Sequence, residues 1–117
     1  VLLEQVVLNL GLNALQAMQA MRADATPPEA HELLLRTTAD TRFACLEVLD
    51  RGPGLPPEIA ERLFEPFFTT RSDGLGLGLN ICRSIVESMG GELLARNRDG
   101  GGAVFEIRLP RIFLSPP

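Results

Sequence analysis

The sequence predicts an α+β fold, a mixed and mostly antiparallel sheet with its helices on one face. Three observations predict it. Residues 1–22 carry Leu3, Val6, Val7, Leu10, Ala14, Ala17, Met18 and Met21 at the three-and-four spacing of a buried helical stripe. Strand-like segments come in two hairpin pairs, 32–38 with 43–49 and 92–97 with 103–109, not in a regular β–α alternation. A second amphipathic helix, residues 78–89, stands between those pairs.

Taken in order, the helix 1–22 gives way to a loop over 23–31 containing Thr26-Pro27-Pro28. The first hairpin turns at Ala39-Asp40-Thr41. Asp50-Arg51-Gly52-Pro53-Gly54 then breaks the strand pattern. Residues 57–63 read as a short helix, with Pro56 and Pro57 near its start, where proline is tolerated. Residues 64–76 hold three Phe, one Pro and a glycine run without a period, and read as a mobile loop. The helix 78–89 buries Leu79, Ile81, Ile85, Val86 and Met89, and Gly90-Gly91 caps its C-terminus. The last hairpin turns at Asp99-Gly100-Gly101-Gly102, and 110–117 reads as a disordered tail. No internal repeat is visible.

The length of 117 residues is that of one domain, and 45% apolar content suffices for a core. A net charge of -4 excludes the basic footprint of a nucleic-acid binder and argues against a basic membrane-surface face. No apolar run approaches the roughly 20 residues of a membrane span. Val1 already sits in a helical pattern, so the chain reads as the downstream part of a longer protein. Cys45 and Cys82 lack metal-ligand spacing and have mostly apolar neighbours, which predicts two reduced, packed thiols suited to a reducing cytosol. His31, the single histidine, lies in a polar stretch and reads as a surface residue.

Four segments can carry chemistry. Asn9 and Asn13 are four apart in an otherwise apolar helix, so they project about 40° apart on one side. They are either amides that satisfy nearby backbone or oxygen ligands for a hard cation such as magnesium. Asp50, at a strand end beside Gly52 and Gly54, is either a plain turn residue or a carboxylate that meets a ligand's amino group. Gly74-Leu75-Gly76-Leu77-Gly78-Leu79 opens a helix whose free amides suit phosphate; the alternative is a flexible linker. It has neither the P-loop Gly-Lys-Ser/Thr nor the dinucleotide-binding glycine spacing. Phe64-Glu65-Pro66-Phe67-Phe68-Thr69-Thr70-Arg71 places three Phe in a loop, as a lid anchor or docking patch, with Arg71 a cation for polyphosphate.

In this order, the four segments resemble the boxes of the GHKL ATPase/kinase superfamily, specifically its histidine-kinase branch. Gln5–Met18 (QVVLNLGLNALQAM) is similar to the N box and Asp50–Gly54 (DRGPG) to the first glycine box. Phe64–Thr70 (FEPFFTT) is similar to the F box, and Gly74–Leu79 (GLGLGL), continuing as NICRSIVESMGGEL, to the second glycine box. The match spans about residues 2–110. It implies a two-layer α/β sandwich, the Bergerat fold, formed by residues 1–110, with 111–117 as the tail. ATP would lie between the helices under a lid over 55–77. Asp50 would bind the adenine amino group, with Gly52 and Gly54 beside it and Ala17 lining the pocket. Asn13 would coordinate Mg2+ with Asn9 assisting. Gly74, Gly76, Leu77 and Gly78 would face the phosphates, and Thr70 and Arg71 would come from the lid.

The resemblance also separates branches. ATP-hydrolysing relatives carry Glu where this chain has Asn9, and that Glu serves as base for water. Asn cannot accept a proton at neutral pH, so the chain suits transfer of phosphate to another nucleophile. In the kinases this is a histidine on a separate helical dimerisation domain, with a response regulator downstream. The implied setting is cytoplasmic, in a parent that can be an inner-membrane sensor, with the present chain a monomer inactive alone. A GHKL serine kinase of the anti-sigma type, a GHKL ATPase and a non-catalytic scaffold are the alternatives. Arg71 stands where Lys is frequent, Leu75 where Thr is, Arg51 where Asn is and Asn80 where Ser is. The phosphoacceptor-histidine helix is absent, and so are the strand and helix that usually precede the N box, so an open sheet edge and reduced stability are expected.

Overall fold

The computed structural model describes residues 2–20, 32–60, 62–65 and 78–111. The expected loop 23–31, the loop residues 66–77 and the segment 112–117 lie outside the described residues, as do Met21 and His31.

The predicted first helix is α1, Leu2–Ala20. The first hairpin is β1, Leu34–Ala39, with β2, Phe43–Leu49. A single turn, α2, spans Pro57–Ala60, shorter than the expected 57–63. The second long helix is α3, Leu79–Ser88. The closing hairpin is β3, Glu92–Asn97, with β4, Ala103–Pro110. The sheet order is β1-β2-β4-β3, and every neighbouring pair is antiparallel. The fourth strand therefore inserts between the first hairpin and β3, so β2 and β4 form the centre of the sheet and β1 and β3 its edges.

The helices cover one face, α1 against β2 and α3, and α3 against β3. Val6, Leu10 and Ala14 of α1 and Cys82 and Val86 of α3 meet Val48, Leu93, Phe105, Ile107 and Leu109 of the strands. Fully burying an aliphatic side chain of this size stabilises by about 1.5–3 kcal/mol, so this layer is the main driving force for the fold. One expected core position moves. Ile81 is 45% exposed and Cys82, at 0%, packs in its place. Leu79, Cys82, Val86 and Met89 then form the three-and-four stripe, and Ile81 falls off its edge. The glycine cap stands as expected: Gly90 has φ 80, and the Gly91 N–H donates to the Val86 carbonyl at 3.1 Å.

The open face of the sheet carries a ladder of charges. Arg36 donates to Glu47 at 2.7 Å, and Arg96 donates to Glu47 at 2.8 Å and to Glu106 at 3.1 Å. Arg108 donates to the other oxygen of Glu106 at 3.2 Å. Glu47 and Glu106 are direct cross-strand partners, a pairing of like charges that destabilises a sheet. The Arg96 guanidinium spans both and reverses its sign. Hydrogen bonds from Arg96 and Arg36 hold the Glu47 carboxyl below its ordinary value of 4.5. Cys45 corrects the expectation of two packed thiols. It is half-buried on this charged face, where burial and then Glu106 push its thiol up, whereas Cys82 is fully buried.

The strand β4 also runs further than expected. Pro110 closes it, and the Arg111 N–H donates to the Arg42 carbonyl at 2.8 Å, so the tail does not begin at 110 or 111. β1 is an edge strand with all six residues exposed. Among the described residues, no helix is long and apolar enough to cross a membrane.

Because the folded Glu47 carboxyl titrates below its unfolded value, its contribution is present above about pH 4.5 and lost as pH falls through the lower, folded value. Urea denaturation across acidic pH is expected to show this loss, and Glu47→Gln is expected to flatten it. Arg96→Met leaves two adjacent carboxylates unbridged and is expected to cost about 1–3 kcal/mol at neutral pH.

Candidate functional site

Asp50 directly follows β2 and is 2% exposed. A buried carboxylate must find donors, and here the backbone supplies them. Its Oδ1 accepts from the Gly52 N–H at 2.8 Å and from the Ala103 N–H at 3.1 Å. The Asp50 N–H donates in turn to the Ala103 carbonyl at 3.0 Å, which extends the β2–β4 ladder by one rung. Both of these bonds fall on one oxygen, and among the described residues Oδ2 has no donor.

Small residues bring the walls in. A Cβ at Gly52 would lie 3.1 Å from the Ala17 Cβ, so the loop sits directly on α1. Gly54 has φ 82, and a Cβ there would lie 2.8 Å from Asn97 Oδ1. Gly102 has φ 102, and a Cβ there would overlap the Asp50 carbonyl oxygen. Only glycine satisfies both constraints at 102.

Asn9 is buried at 4% exposure, and its Nδ2 lies 3.3 Å from Cys82 Sγ, joining α1 to the start of α3. Burial pushes the Cys82 thiol up, so it stays protonated and packed. Asn13 is half-buried one turn further along, and Ala17 one turn beyond that. Gly78 precedes α3 in an extended conformation, and its carbonyl accepts from the Ile81 and Cys82 N–H groups, both at 3.1 Å. Of the expected site residues, Asn9, Asn13, Ala17, Asp50, Gly52, Gly54 and Gly78 thus lie on α1, on the loop against it and at the head of α3. Thr70, Arg71, Gly74, Gly76 and Leu77 lie outside the described residues. Phe64, the first Phe of the FEPFF segment, packs against the core with the Arg83 guanidinium 5.2 Å from its ring centre.

Sequence reasoning missed four residues here. Gln16 Oε1 is buried without a hydrogen-bond partner among the described residues, and Gln16 continues the Asn9–Asn13 spacing by three. That 4-3 spacing was the available signal. Asn97 forms two bonds with one residue: its Oδ1 accepts from the Leu55 N–H at 2.6 Å and its Nδ2 donates to the Leu55 carbonyl at 3.0 Å. Arg98 donates to the Asp50 carbonyl at 3.1 Å. Gly102 was legible as a turn residue but not as a neighbour of Asp50.

Residues 1–112 match the family of histidine kinase-, DNA gyrase B-, and HSP90-like ATPases. The chain belongs to this family. Within it, the similarity runs to sensor histidine kinases, so this is a GHKL ATP-binding domain of the histidine-kinase type. The C4-dicarboxylate transport sensor protein DctS of Rhodobacter capsulatus is 44% identical over 110 residues, 94% of this chain and 16% of that protein. The nucleotide-free catalytic domain of histidine kinase ThkA superposes with a TM-score of 0.77 at 34% identity, over 93% of this chain and 66% of that one. Full-length ShkA in complex with AMPPNP superposes with a TM-score of 0.72 at 34% identity, over 93% of this chain and 21% of that one. The chain therefore spans less than a quarter of the length of DctS and of full-length ShkA.

Two of the three glycines of the β3–β4 turn, Gly100 and Gly102, separate conformation from contact. Gly100, with φ 86 and open space around it, is expected to tolerate Ala at about 1–2 kcal/mol. Gly102→Ala adds the collision with the Asp50 backbone and is expected to cost at least about 3 kcal/mol, read by chemical denaturation.

Proposed function

We propose that residues 1–110 bind Mg-ATP between α1 and α3 and present the γ-phosphate to a histidine on a separate dimerisation domain of the same parent protein. A response regulator then receives the phosphoryl group. The domain works in the cytoplasm, as a monomer in isolation, with any membrane anchoring left to its parent.

The observation that carries this reading is the Asp50 carboxylate, buried, fixed through Oδ1 and, among the described residues, without a donor on Oδ2. A free carboxylate oxygen accepts from the 6-amino group of adenine and repels the 6-oxo group of guanine or hypoxanthine. Sites built around such a polar contact discriminate strongly, because the wrong ligand leaves a buried group unpaired. Gly52 and Gly54 let the backbone come flush with the base, and Ala17 closes the wall. Gly78 and the preceding Gly74, Gly76 and Leu77 serve the phosphates, with Thr70 and Arg71 contributing from the lid.

Magnesium fits the donor set on α1. Asn9, Asn13 and Gln16 offer neutral amide oxygens along one face, and Gln16 Oε1 is a buried acceptor without a partner among the described residues. Hard cations take such oxygens while keeping several waters. Asn13 is assigned as the coordinating residue and Asn9 as its support. When bound, the ion neutralises phosphate charge. Asn9 also supports the kinase reading over hydrolysis: a neutral amide can donate toward Cys82 Sγ, whereas a carboxylate could not donate and would carry a buried charge.

Calorimetric titration with a non-hydrolysable ATP analogue is expected to show one magnesium-dependent site, lost in Asn13→Ala. Asp50→Asn keeps an acceptor for Gly52 and Ala103 but turns the outward atom into a donor. It is expected to lose ATP binding and to shift preference toward inosine triphosphate. Retained ATP preference in a folded Asp50→Asn protein would contradict the assignment. Robust phosphate release by the chain alone, abolished by Asn9→Ala, would contradict the kinase reading.

A further inference from the structure

Two adjacent residues at the end of β3 grip the two ends of the Asp50–Leu55 segment. Asn97 reproduces a strand-like double bond with Leu55, accepting at 2.6 Å and donating at 3.0 Å. Arg98 donates to the Asp50 carbonyl at 3.1 Å, with its side chain 17% exposed and a flanking contact to Glu32 at 3.8 Å. Glu32 also meets Arg51 at 3.2 Å, so the same carboxylate steadies the segment from outside. Between the two grips lie Gly52 and Gly54, the latter at positive φ. A segment that contains two glycines and a positive-φ residue has many accessible conformations, and its backbone does not hold one by itself. Neither grip is required by the sheet. Asn97 is the last residue of β3 and Arg98 lies beyond it, and both side chains leave the strand to bond elsewhere.

We propose that Asn97 and Arg98 are positioning residues for base selection: by clamping Leu55 and the Asp50 carbonyl, they hold the Asp50 carboxylate and the Gly52–Gly54 wall in the register that distinguishes a 6-amino purine from a 6-oxo purine. The inference rests on the reading of Asp50 as the base-recognising residue. Neither side chain need touch the nucleotide. Arg98 fixes the root of the recognising residue. Asn97 fixes the point where the chain leaves the wall, and its carboxamide is matched to both Leu55 groups at once. Recognition of this kind requires placement to within about half an ångström, which a freely moving glycine segment does not supply.

The clamp predicts a loss of selectivity separable from loss of fold. The test uses the full chain with Mg-ATP and Mg-inosine triphosphate, each titrated against wild type, Asn97→Ala, Arg98→Met and Arg98→Lys, with thermal melts alongside. Wild type is expected to prefer ATP. In Asn97→Ala and Arg98→Met, ATP affinity is expected to fall about tenfold while inosine triphosphate affinity changes little, so that the ratio collapses. Arg98→Lys, which still donates to the Asp50 carbonyl, is expected to recover most of the ratio. A purely structural role would lower the melting temperature and weaken both nucleotides together, leaving the ratio intact, and that result overturns the proposal. Failure of wild type to bind ATP, or to prefer it, overturns the reading of Asp50 itself. Preserved wild-type preference with an unchanged ratio in both variants overturns the clamp alone.

Discussion

The reciprocal bonding of Asp50 and Ala103 is the constraint on which the site depends. Asp50 gives its N–H to the Ala103 carbonyl and takes the Ala103 N–H on its carboxylate. A side chain thus completes a backbone ladder, and a carboxylate is carried into the interior with a donor already in place. The consequences propagate outward. Gly102 must be glycine because the Asp50 carbonyl occupies the space of a Cβ. Gly52 must be small because its N–H is turned back onto Oδ1 and its α-carbon faces Ala17. The helix α1 can then approach the loop closely, with Ala17 directly against Gly52.

Stability and recognition are placed on different surfaces. The helix-covered face of the sheet is apolar and supplies the burial energy. The open face is held by the Arg36–Glu47–Arg96–Glu106–Arg108 ladder, which resolves a like-charge pair by bridging it. Neither set includes the residues assigned to nucleotide. The polar groups of the site sit where α1, the β2–α2 connection and the β3–β4 turn converge. There the backbone supplies most of the hydrogen bonds and glycine supplies the room.

What was legible in the sequence follows the range of the interactions. The strands 43–49 and 92–97 were read to the residue, because alternation and turn chemistry are local signals. The α3 stripe was read one position off at Ile81, because a cysteine competes with isoleucine for the core and only packing decides between them. Asn9, Asn13, Asp50 and the glycines stood out because each breaks a local rule: an amide in an apolar helix, or a carboxylate in a glycine turn. Asn97 and Arg98 break none. They are ordinary residues at a strand end, and their roles are set by partners 42 and 48 positions away. The charged ladder was hidden for the same reason. Glu47 and Glu106 become neighbours only once β4 inserts beside β2.

In the proposed mode of binding, adenine is read at the Asp50 carboxylate, under the Gly52 and Ala103 amides. The most direct measurement is an amide-resolved nuclear magnetic resonance titration of the chain with a magnesium-loaded ATP analogue. The largest saturable shifts are expected at the Gly52 and Ala103 amides, whose protons already point at Oδ1, with smaller shifts along the α1 face from Asn9 to Gln16. Saturable shifts confined to the open face around Arg36, Arg96 and Arg108, with Gly52 and Ala103 unmoved, would contradict the account.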